Sequence, residues 1–202
     1  MTPPSRHSIR IPGYDYSEVG PYFITICTHQ RKTLLGEIKD QEIVLSEAGG
    51  MVHQSWQDLP QRFPGVVLDA FVVMPNHVHG VLGLVGAGLA LPEAGAASSA
   101  PTADGALAVK KVTLPAIVRT FKSLSAIHVN RALSRQGQPF WQRNYYEHVI
   151  RDEKSLDRVR EYILHNPLRW ALDAENPRPQ GRDEFDRWLA SFKKRPNSKN
   201  FP

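Results

Sequence analysis

Residues 66 to 85 are the stretch of this sequence that most constrains the fold. They form two runs rich in Val, Leu and Phe, interrupted only by Met74, Pro75 and Asn76. Apolar runs separated by turn-forming residues are typical of a β-hairpin. The segment therefore predicts two extended strands joined by a short turn.

The second of these runs carries a His-x-His pattern at His77 and His79. Side chains alternate between the two faces of a strand, so both imidazoles point the same way, with backbones roughly 6 to 7 Å apart. Two neutral imidazoles at that spacing can bind one divalent ion. The same pattern fits a pair of interior or surface histidines satisfied by hydrogen bonds.

Residues 152 to 165 predict a helix that ends before Pro167. Asp152 is a suitable N-cap, and Leu156, Val159 and Ile163 form an apolar stripe at helical spacing. The stripe indicates which face of the helix is buried.

Tyr162 and Asn166 lie four residues apart on this helix and therefore on the same side of it. The pattern places a hydroxyl next to an amide. It also fits an amphipathic tyrosine at the rim of the core and a polar residue at the helix end. Asn166 precedes a proline, which disfavours helical geometry at that position.

Three segments together resemble a known family: GYDYSEVGPYFITICTHQR (13 to 31), LDAFVVMPNHVHGVL (68 to 82) and FWQRNYYEHVIRDEKSLDRVREYILHNPLRW (140 to 170). They are similar to the single-tyrosine HUH transposases of the IS200-like family, and most of all to the REP-associated tyrosine transposases. The resemblance covers residues 10 to 172, with the three motifs in the family's order.

The resemblance implies an α+β fold, a ferredoxin-like antiparallel sheet (βαββαβ) with helices on one face and a C-terminal catalytic helix. It also implies that His77 and His79 bind a metal, that Asn166 supplies an amide oxygen as the third protein ligand, and that Tyr162 is the nucleophile.

The remaining sequence is compatible with this fold. It predicts a strand over 22 to 28, helices over 46 to 59 and 114 to 133, and a last strand over 145 to 150. Gly49 and Gly50 fall inside the first helix, which they weaken by roughly 1 kcal/mol each relative to alanine.

The expected chemistry is cleavage of single-stranded or hairpin DNA. A tyrosine hydroxyl has a pKa of about 10 and is therefore a poor nucleophile at neutral pH. A divalent ion that polarises the phosphodiester is needed to make the attack possible. His and Asn ligands favour Mn²⁺, whereas cellular supply favours Mg²⁺. The product is a 5′-phosphotyrosine and a 3′-hydroxyl. No general base is evident: His148 and His165 are near enough in sequence to be candidates, but a solvated histidine is the simpler interpretation of each.

Charge points to a nucleic-acid partner. The net charge is +5, and residues 110 to 170 hold twelve Lys or Arg against five Asp or Glu. Each of these side chains also fits an ordinary packing or surface position. The candidate DNA contacts, cations first and stacking aromatics second, are Lys110, Lys111, Arg119, Lys122, Arg143, Arg151, Arg158, Trp141, Tyr145 and Tyr146.

The chain of 202 residues predicts one HUH domain over residues 1 to 175 and a weakly ordered basic extension over 176 to 202, with a short helix at 184 to 192. An Ala-, Gly- and Ser-rich stretch at 86 to 109 predicts a flexible loop insertion. The lone Cys27 excludes an intrachain disulfide and a thiolate cluster. Without a signal peptide or a membrane-length apolar run, we expect a cytoplasmic protein associated with the chromosome.

Three functions fit these patterns. The first is the DNA-cleaving transposase, acting either as a monomer or as a homodimer. The second is a domesticated protein of the same fold that binds hairpin DNA or RNA without cleaving it. The third is an unrelated metallohydrolase built on the His-x-His, which lacks a further His or carboxylate cluster in the sequence.

Overall fold

A computed structural model describes residues 13 to 85 and 111 to 193 of the chain. Its strands are β1 (Gly20–Cys27), β2 (Gly36–Lys39), β3 (Glu42–Leu45), β4 (Val66–Val73), β5 (His77–Leu84) and β6 (Tyr146–Val149). Its α-helices are α1 (Glu47–Gln57), α2 (Leu59–Arg62), α3 (Leu114–Ala132), α4 (Glu153–His165) and α5 (Glu184–Lys193). Lys110 and the predicted loop insertion at 86 to 109 lie outside the described residues.

Four strands form one antiparallel sheet in the order β4, β5, β1, β6. The helices α1 and α2 lie between β1 and β4, and α3 lies between β5 and β6. With the short α2 counted together with α1, the chain that builds this sheet runs strand, helix, strand, strand, helix, strand. This order is that of a ferredoxin-like fold, and the predicted fold class is confirmed. The sequence did not predict β2 and β3, which form a separate hairpin before α1.

Each face of the sheet covers its own apolar core. Tyr22, Ile24 and Ile26 of β1 point to the face covered by α1 and α3, where Trp56 and Phe121 complete the main core. The residues between them point to the opposite face, which α4 and α5 cover. The alternation predicted from the sequence therefore divides the sheet into a packing face and a face available for a site.

Helix α4 begins as predicted, because the Asp152 carboxylate accepts a hydrogen bond from the Ser155 backbone N–H at 2.8 Å. Arg160 ties the helix to the edge strand β4, where its guanidinium makes a two-pronged contact with Asp69 at 3.0 and 2.7 Å. Asp69 lies within an irregularity of β4 between Leu68 and Phe71. The bulge thus presents the carboxylate that holds α4 in position.

Residues 176 to 193 differ from the weakly ordered extension that we expected. The predicted helix is present as α5, and its Phe185 and Leu189 are buried against α4 and the sheet. The division of the chain at residue 175 stays a prediction, but this part of the supposed extension packs on the face that carries the candidate site. Within the described residues, no helix has the length and apolar character needed to span a membrane.

Candidate functional site

The two histidines of the His-x-His pattern lie side by side at the end of β5. Their neighbours on β1 are Cys27 opposite His77 and Thr25 opposite His79. Both imidazoles are buried, with 0% and 3% of their surface exposed, and their Nε2 atoms are 2.9 Å apart. The two rings share one face of the strand, as the alternation predicted, and that face is buried.

The tautomer of His77 is fixed by its neighbour Asn76. The Asn76 amide nitrogen donates to the backbone oxygens of Glu175 and Arg31 at 2.8 and 3.2 Å, so its Oδ1 is left to accept from His77 Nδ1 at 2.8 Å. Burial, reinforced by His79, lowers the pKa of His77 to about 3. The ring is therefore neutral, and its Nε2 lone pair faces His79, as a metal ligand requires.

A carboxylate that the sequence analysis did not select completes this cluster. Asp173 is 1% exposed, and its Oδ2 lies 3.6 Å from the Nε2 atoms of both His77 and His79. Burial disfavours its charged form, but the adjacent imidazoles of His79 and His77 outweigh that effect and keep the pKa of Asp173 below its ordinary value. It is therefore a carboxylate at neutral pH.

The three atoms have the spacing of a metal site. Separations of 2.9, 3.6 and 3.6 Å define a circle whose radius is about 2.0 Å. Divalent ions bind imidazole nitrogens and carboxylate oxygens at about 2.0 to 2.2 Å. His77, His79 and Asp173 thus form a buried group that can hold a metal ion.

Asn166 remains in register with Tyr162, because as the C-cap residue of α4 it keeps helical backbone angles. Its side-chain nitrogen donates to Asp173 Oδ2 at 2.9 Å. Its Oδ1 is buried and has no hydrogen-bond partner among the described residues. An unpaired buried acceptor beside two histidines and a carboxylate fits a cation, so the proposed role of Asn166 as an amide ligand is compatible with this arrangement.

The Tyr162 hydroxyl adjoins the same cluster. Its oxygen is 3.3 Å from His79 Nε2 and 3.4 Å from Asp173 Oδ2. Burial, followed by the charge of Asp173, raises the pKa of Tyr162 above its ordinary value. The tyrosine is therefore protonated, and it can act as a nucleophile only when its electrophile is activated or its proton is removed.

A cleft of about 570 Å³ opens beside this hydroxyl. His79, Tyr162 and Asp173 form its floor, and Tyr146 lies on the side formed by the sheet. The segment from residue 174 to 190 supplies most of the remaining wall. The cleft gives the buried cluster a route to a ligand.

Most of the predicted DNA contacts lie away from this cleft. Among the candidates that the structure describes, only Tyr146 lines it. Trp141 is 8% exposed in the main core and donates to Ser125, and the Lys122 ammonium donates to the backbone oxygens of residues 142, 143 and 144. Tyr145 packs partly buried against the main core. The exposed members of the set are Lys111, Arg119, Arg143, Arg151 and Arg158.

Neither candidate general base lines the cleft. His148 packs its ring against Trp188, and burial lowers the pKa of its imidazole to about 4. His165 Nδ1 lies 3.0 Å from the backbone oxygen of Glu161 in its own helix. Asp173 is the described carboxylate that hydrogen-bonds to the Tyr162 hydroxyl.

The fold is the one expected from the sequence resemblance. A ferredoxin-like sheet carries the histidine pair on a central strand, and a helix on the site face places a tyrosine against that pair. No protein-family model matches the chain. Two solved structures, both described as transposases, are similar to the chain.

One of these solved structures is a REP-associated tyrosine transposase bound to a REP hairpin. It is 20% identical, covers 83% of this chain and 73% of its own, and has a TM-score of 0.48. The other is a candidate transposase from Deinococcus radiodurans, also 20% identical, covering 77% of this chain and 95% of its own with a TM-score of 0.44.

A relative from Haemophilus influenzae is similar to the chain in sequence. The two are 40% identical over an alignment of 173 positions, which covers 83% of this chain and 91% of the relative, an uncharacterized protein. The chain belongs to the same protein family as this Haemophilus influenzae protein.

Proposed function

We propose that the protein is a metal-dependent single-stranded DNA endonuclease and strand transferase of the transposase kind. The observation that carries the proposal is the position of the Tyr162 hydroxyl, 3.3 Å from His79 and 3.4 Å from Asp173 at the edge of a buried cluster with metal-site spacing. A nucleophile next to such a cluster is the arrangement that metal-assisted phosphoryl transfer requires.

His77, His79 and Asp173 would hold the ion, with Asn166 Oδ1 as a further oxygen ligand. The ion, Mg²⁺ or Mn²⁺, supplies charge that polarises the phosphodiester when bound. The protein supplies orientation: Asn76 fixes the tautomer of His77, and the Asn166 amide holds the Asp173 carboxylate.

In the proposed cleavage step, the Tyr162 oxygen forms a bond to the phosphorus of the scissile phosphodiester. The bond from phosphorus to the 3′ oxygen breaks, and that oxygen leaves as a 3′-hydroxyl after taking up a proton. The Tyr162 proton, which points towards Asp173 Oδ2, is lost through that carboxylate to the solvent of the cleft as the new bond forms, and the 3′ oxygen takes one proton from the same solvent, so the protons balance. The linkage formed is a 5′-phosphotyrosine, so the 3′-hydroxyl of another strand can attack it and rejoin DNA without ATP.

The proposed substrate is a single strand or a hairpin, which places the protein at the chromosome in the cytoplasm. The net charge of +5 supports a phosphate-rich partner. The solved transposase that is bound to a REP hairpin makes hairpins the first substrates to test. Light scattering in the presence of this DNA distinguishes a monomer from a homodimer.

The test uses 5′- and 3′-labelled oligonucleotides, including hairpins from the DNA that flanks the gene, with Mg²⁺, Mn²⁺ or EDTA. The wild type is compared with Tyr162→Phe, which keeps the ring, and with His77→Ala. We expect a metal-dependent protein–DNA adduct that survives denaturation in the wild type and is absent from both variants.

Tight binding of hairpins without an adduct in any metal would instead favour the second function, a hairpin-binding protein that does not cleave. One observation favours that alternative: Tyr162 is only 3% exposed. In that case Tyr162→Phe leaves the affinity for hairpins unchanged.

A further inference from the structure

The wall of the Tyr162 cleft contains two arginines that the sequence analysis did not select. Arg182 and Arg187 line the cleft together with His79 and Tyr162. Both come from the segment that was expected to be a solvated extension. They lie just before and within α5, the helix that packs beside the site.

Most other arginines and lysines near the site have a structural partner already. Arg31 contacts Glu175 at 2.7 Å, and Arg169 contacts Asp183 at 3.5 Å. The Arg160 guanidinium forms ion pairs with Asp69, Glu153 and Asp157. The Lys122 ammonium donates hydrogen bonds to the backbone oxygens of residues 142 and 143. These cations are not free to take a phosphate without losing those contacts.

The side chains of Arg182 and Arg187 form fewer ion pairs and hydrogen bonds than these cations do. The Arg182 side chain has no ion pair or hydrogen bond within the described part of the chain. Arg187 makes a single one, from Nη2 to the backbone oxygen of Arg182 at 3.2 Å. A guanidinium has five N–H donors in a planar fork, so both retain the capacity to bind a phosphate in two-pronged fashion.

The negative charge of the cleft also favours cations at this position. Three acidic residues, Asp173, Glu175 and Asp186, line it, and of these Glu175 is already paired with Arg31. A phosphate that approaches the Tyr162 hydroxyl meets their negative charge, which a metal ion in the cluster compensates only at the floor. Guanidinium groups on the wall offset the repulsion for the neighbouring phosphates of the same strand.

We propose that Arg182 and Arg187 form a phosphate clamp that holds the backbone of the DNA strand entering the Tyr162 cleft. The clamp rests on the proposed function, because the strand it holds is the substrate of that function. It assigns backbone binding at the reactive phosphodiester to the segment after residue 173 rather than to the basic stretch from 110 to 170.

The test measures binding without chemistry. Fluorescence anisotropy of a labelled single-stranded oligonucleotide is followed against salt concentration, in EDTA and in Mn²⁺, for Arg182→Gln and Arg187→Gln. The matched control is Arg178→Gln, which removes the same charge from an exposed position of the same segment that does not line the cleft. Circular dichroism and thermal melting verify that each variant folds.

We expect each clamp variant to weaken binding about five- to tenfold at low salt and to reduce the slope of log affinity against log salt by about 0.7, the value for one lost phosphate contact on a single strand. Arg182→Lys keeps the charge but loses the fork, so its affinity should fall between those of the wild type and Arg182→Gln. The control should lose less than twofold in affinity.

Three results overturn the clamp. If Arg178→Gln weakens binding as much as the clamp variants, the effect is general electrostatics. If the wild type forms the covalent adduct and the clamp variants bind like it, the clamp is wrong while the nuclease stands. A wild type that neither binds nor cleaves DNA overturns the proposed function and the clamp with it.

Discussion

The ring of Phe185 lies flat against the ring of Tyr162, with centroids 3.8 Å apart and planes 12° apart. The two residues come from different helices, α5 and α4, and each is 3% exposed. Phe185 also meets Phe23 of the sheet edge-on, at 5.8 Å. The ring of the candidate nucleophile is therefore fixed between the sheet and α5, and its orientation depends on a residue outside the βαββαβ core.

Replacing Phe185 with alanine should loosen this arrangement. Loss of a buried phenylalanine costs about 3 to 5 kcal/mol in the free energy of unfolding, which urea denaturation measures. We also expect Tyr162 to become reactive towards nitration by tetranitromethane, read by peptide mass spectrometry. Leu164→Ala is the control, because that side chain is 74% exposed and should change the free energy of unfolding by less than about 0.5 kcal/mol. A Tyr162 that is nitrated equally fast in the wild type contradicts the packing.

The ligands of the candidate metal site can be identified by titrating the protein and its variants with Mn²⁺ and following binding by electron paramagnetic resonance. If Asp173 is a ligand, Asp173→Asn should weaken Mn²⁺ binding at least about tenfold, since it removes the only negative charge of the His-His-Asp group. Asn166→Ala tests the amide oxygen in the same way. Asp58→Asn, at the end of α1, is the control and should bind like the wild type. Unchanged affinity in both site variants rejects this ligand set.

The glycine after the His-x-His pattern is required by packing. A Cβ at Gly80 would lie 2.7 Å from two ring atoms of Trp56, whose indole is buried and stacked on Phe71. We expect Gly80→Ala to destabilise the protein by about 1 to 3 kcal/mol in urea denaturation. Gly50→Ala makes the same chemical change in α1 where nothing lies within 4 Å, and should stabilise by about 0.5 to 1 kcal/mol. Equal effects of the two substitutions would contradict this account.

The parts of the site that follow a local period were predictable. His77 and His79 share a face because strands repeat every two residues, and Tyr162 and Asn166 share a side because they lie four apart in a helix. Asp173 has no such signal. It is a single acidic residue in an irregular segment, and it reaches the histidines only because the chain reverses after α4. A carboxylate shortly after the Tyr-x-x-x-Asn pattern was the one hint available.

Turn chemistry explains the hairpin that the sequence analysis missed. Asp40 and Gln41 connect β2 to β3 with φ values of 49° and 66°, a conformation usually signalled by Asn-Gly or Asp-Gly. Gly49 has a packing role that the sequence analysis did not predict. It was taken to weaken α1, but a Cβ there would collide with the backbone oxygen of Leu35, so the position needs glycine. Neither the backbone conformation of Asp40 and Gln41 nor the contact of Gly49 with Leu35 can be read from the local sequence.

The lowered pKa of His148 predicts how the free energy of unfolding depends on pH. Burial, together with the positive charge of Arg151, lowers the pKa of its imidazole from 6.5 to about 4 in the folded protein. Between these values the unfolded chain binds a proton that the folded chain does not. Stability is therefore highest above pH 6.5 and falls as the pH drops towards 4, by about 2 kcal/mol once the partial exposure of the ring is allowed for.

The measurement is urea denaturation of the wild type and of His148→Gln at several pH values across this window. The variant lacks the titrating ring, so the difference in the free energy of unfolding between the two proteins should shift in favour of the variant as the pH falls. Below about pH 4 the difference should level off, because both states of the wild type are then protonated. A difference that stays constant from pH 7 to about pH 4 would show that folding does not perturb His148.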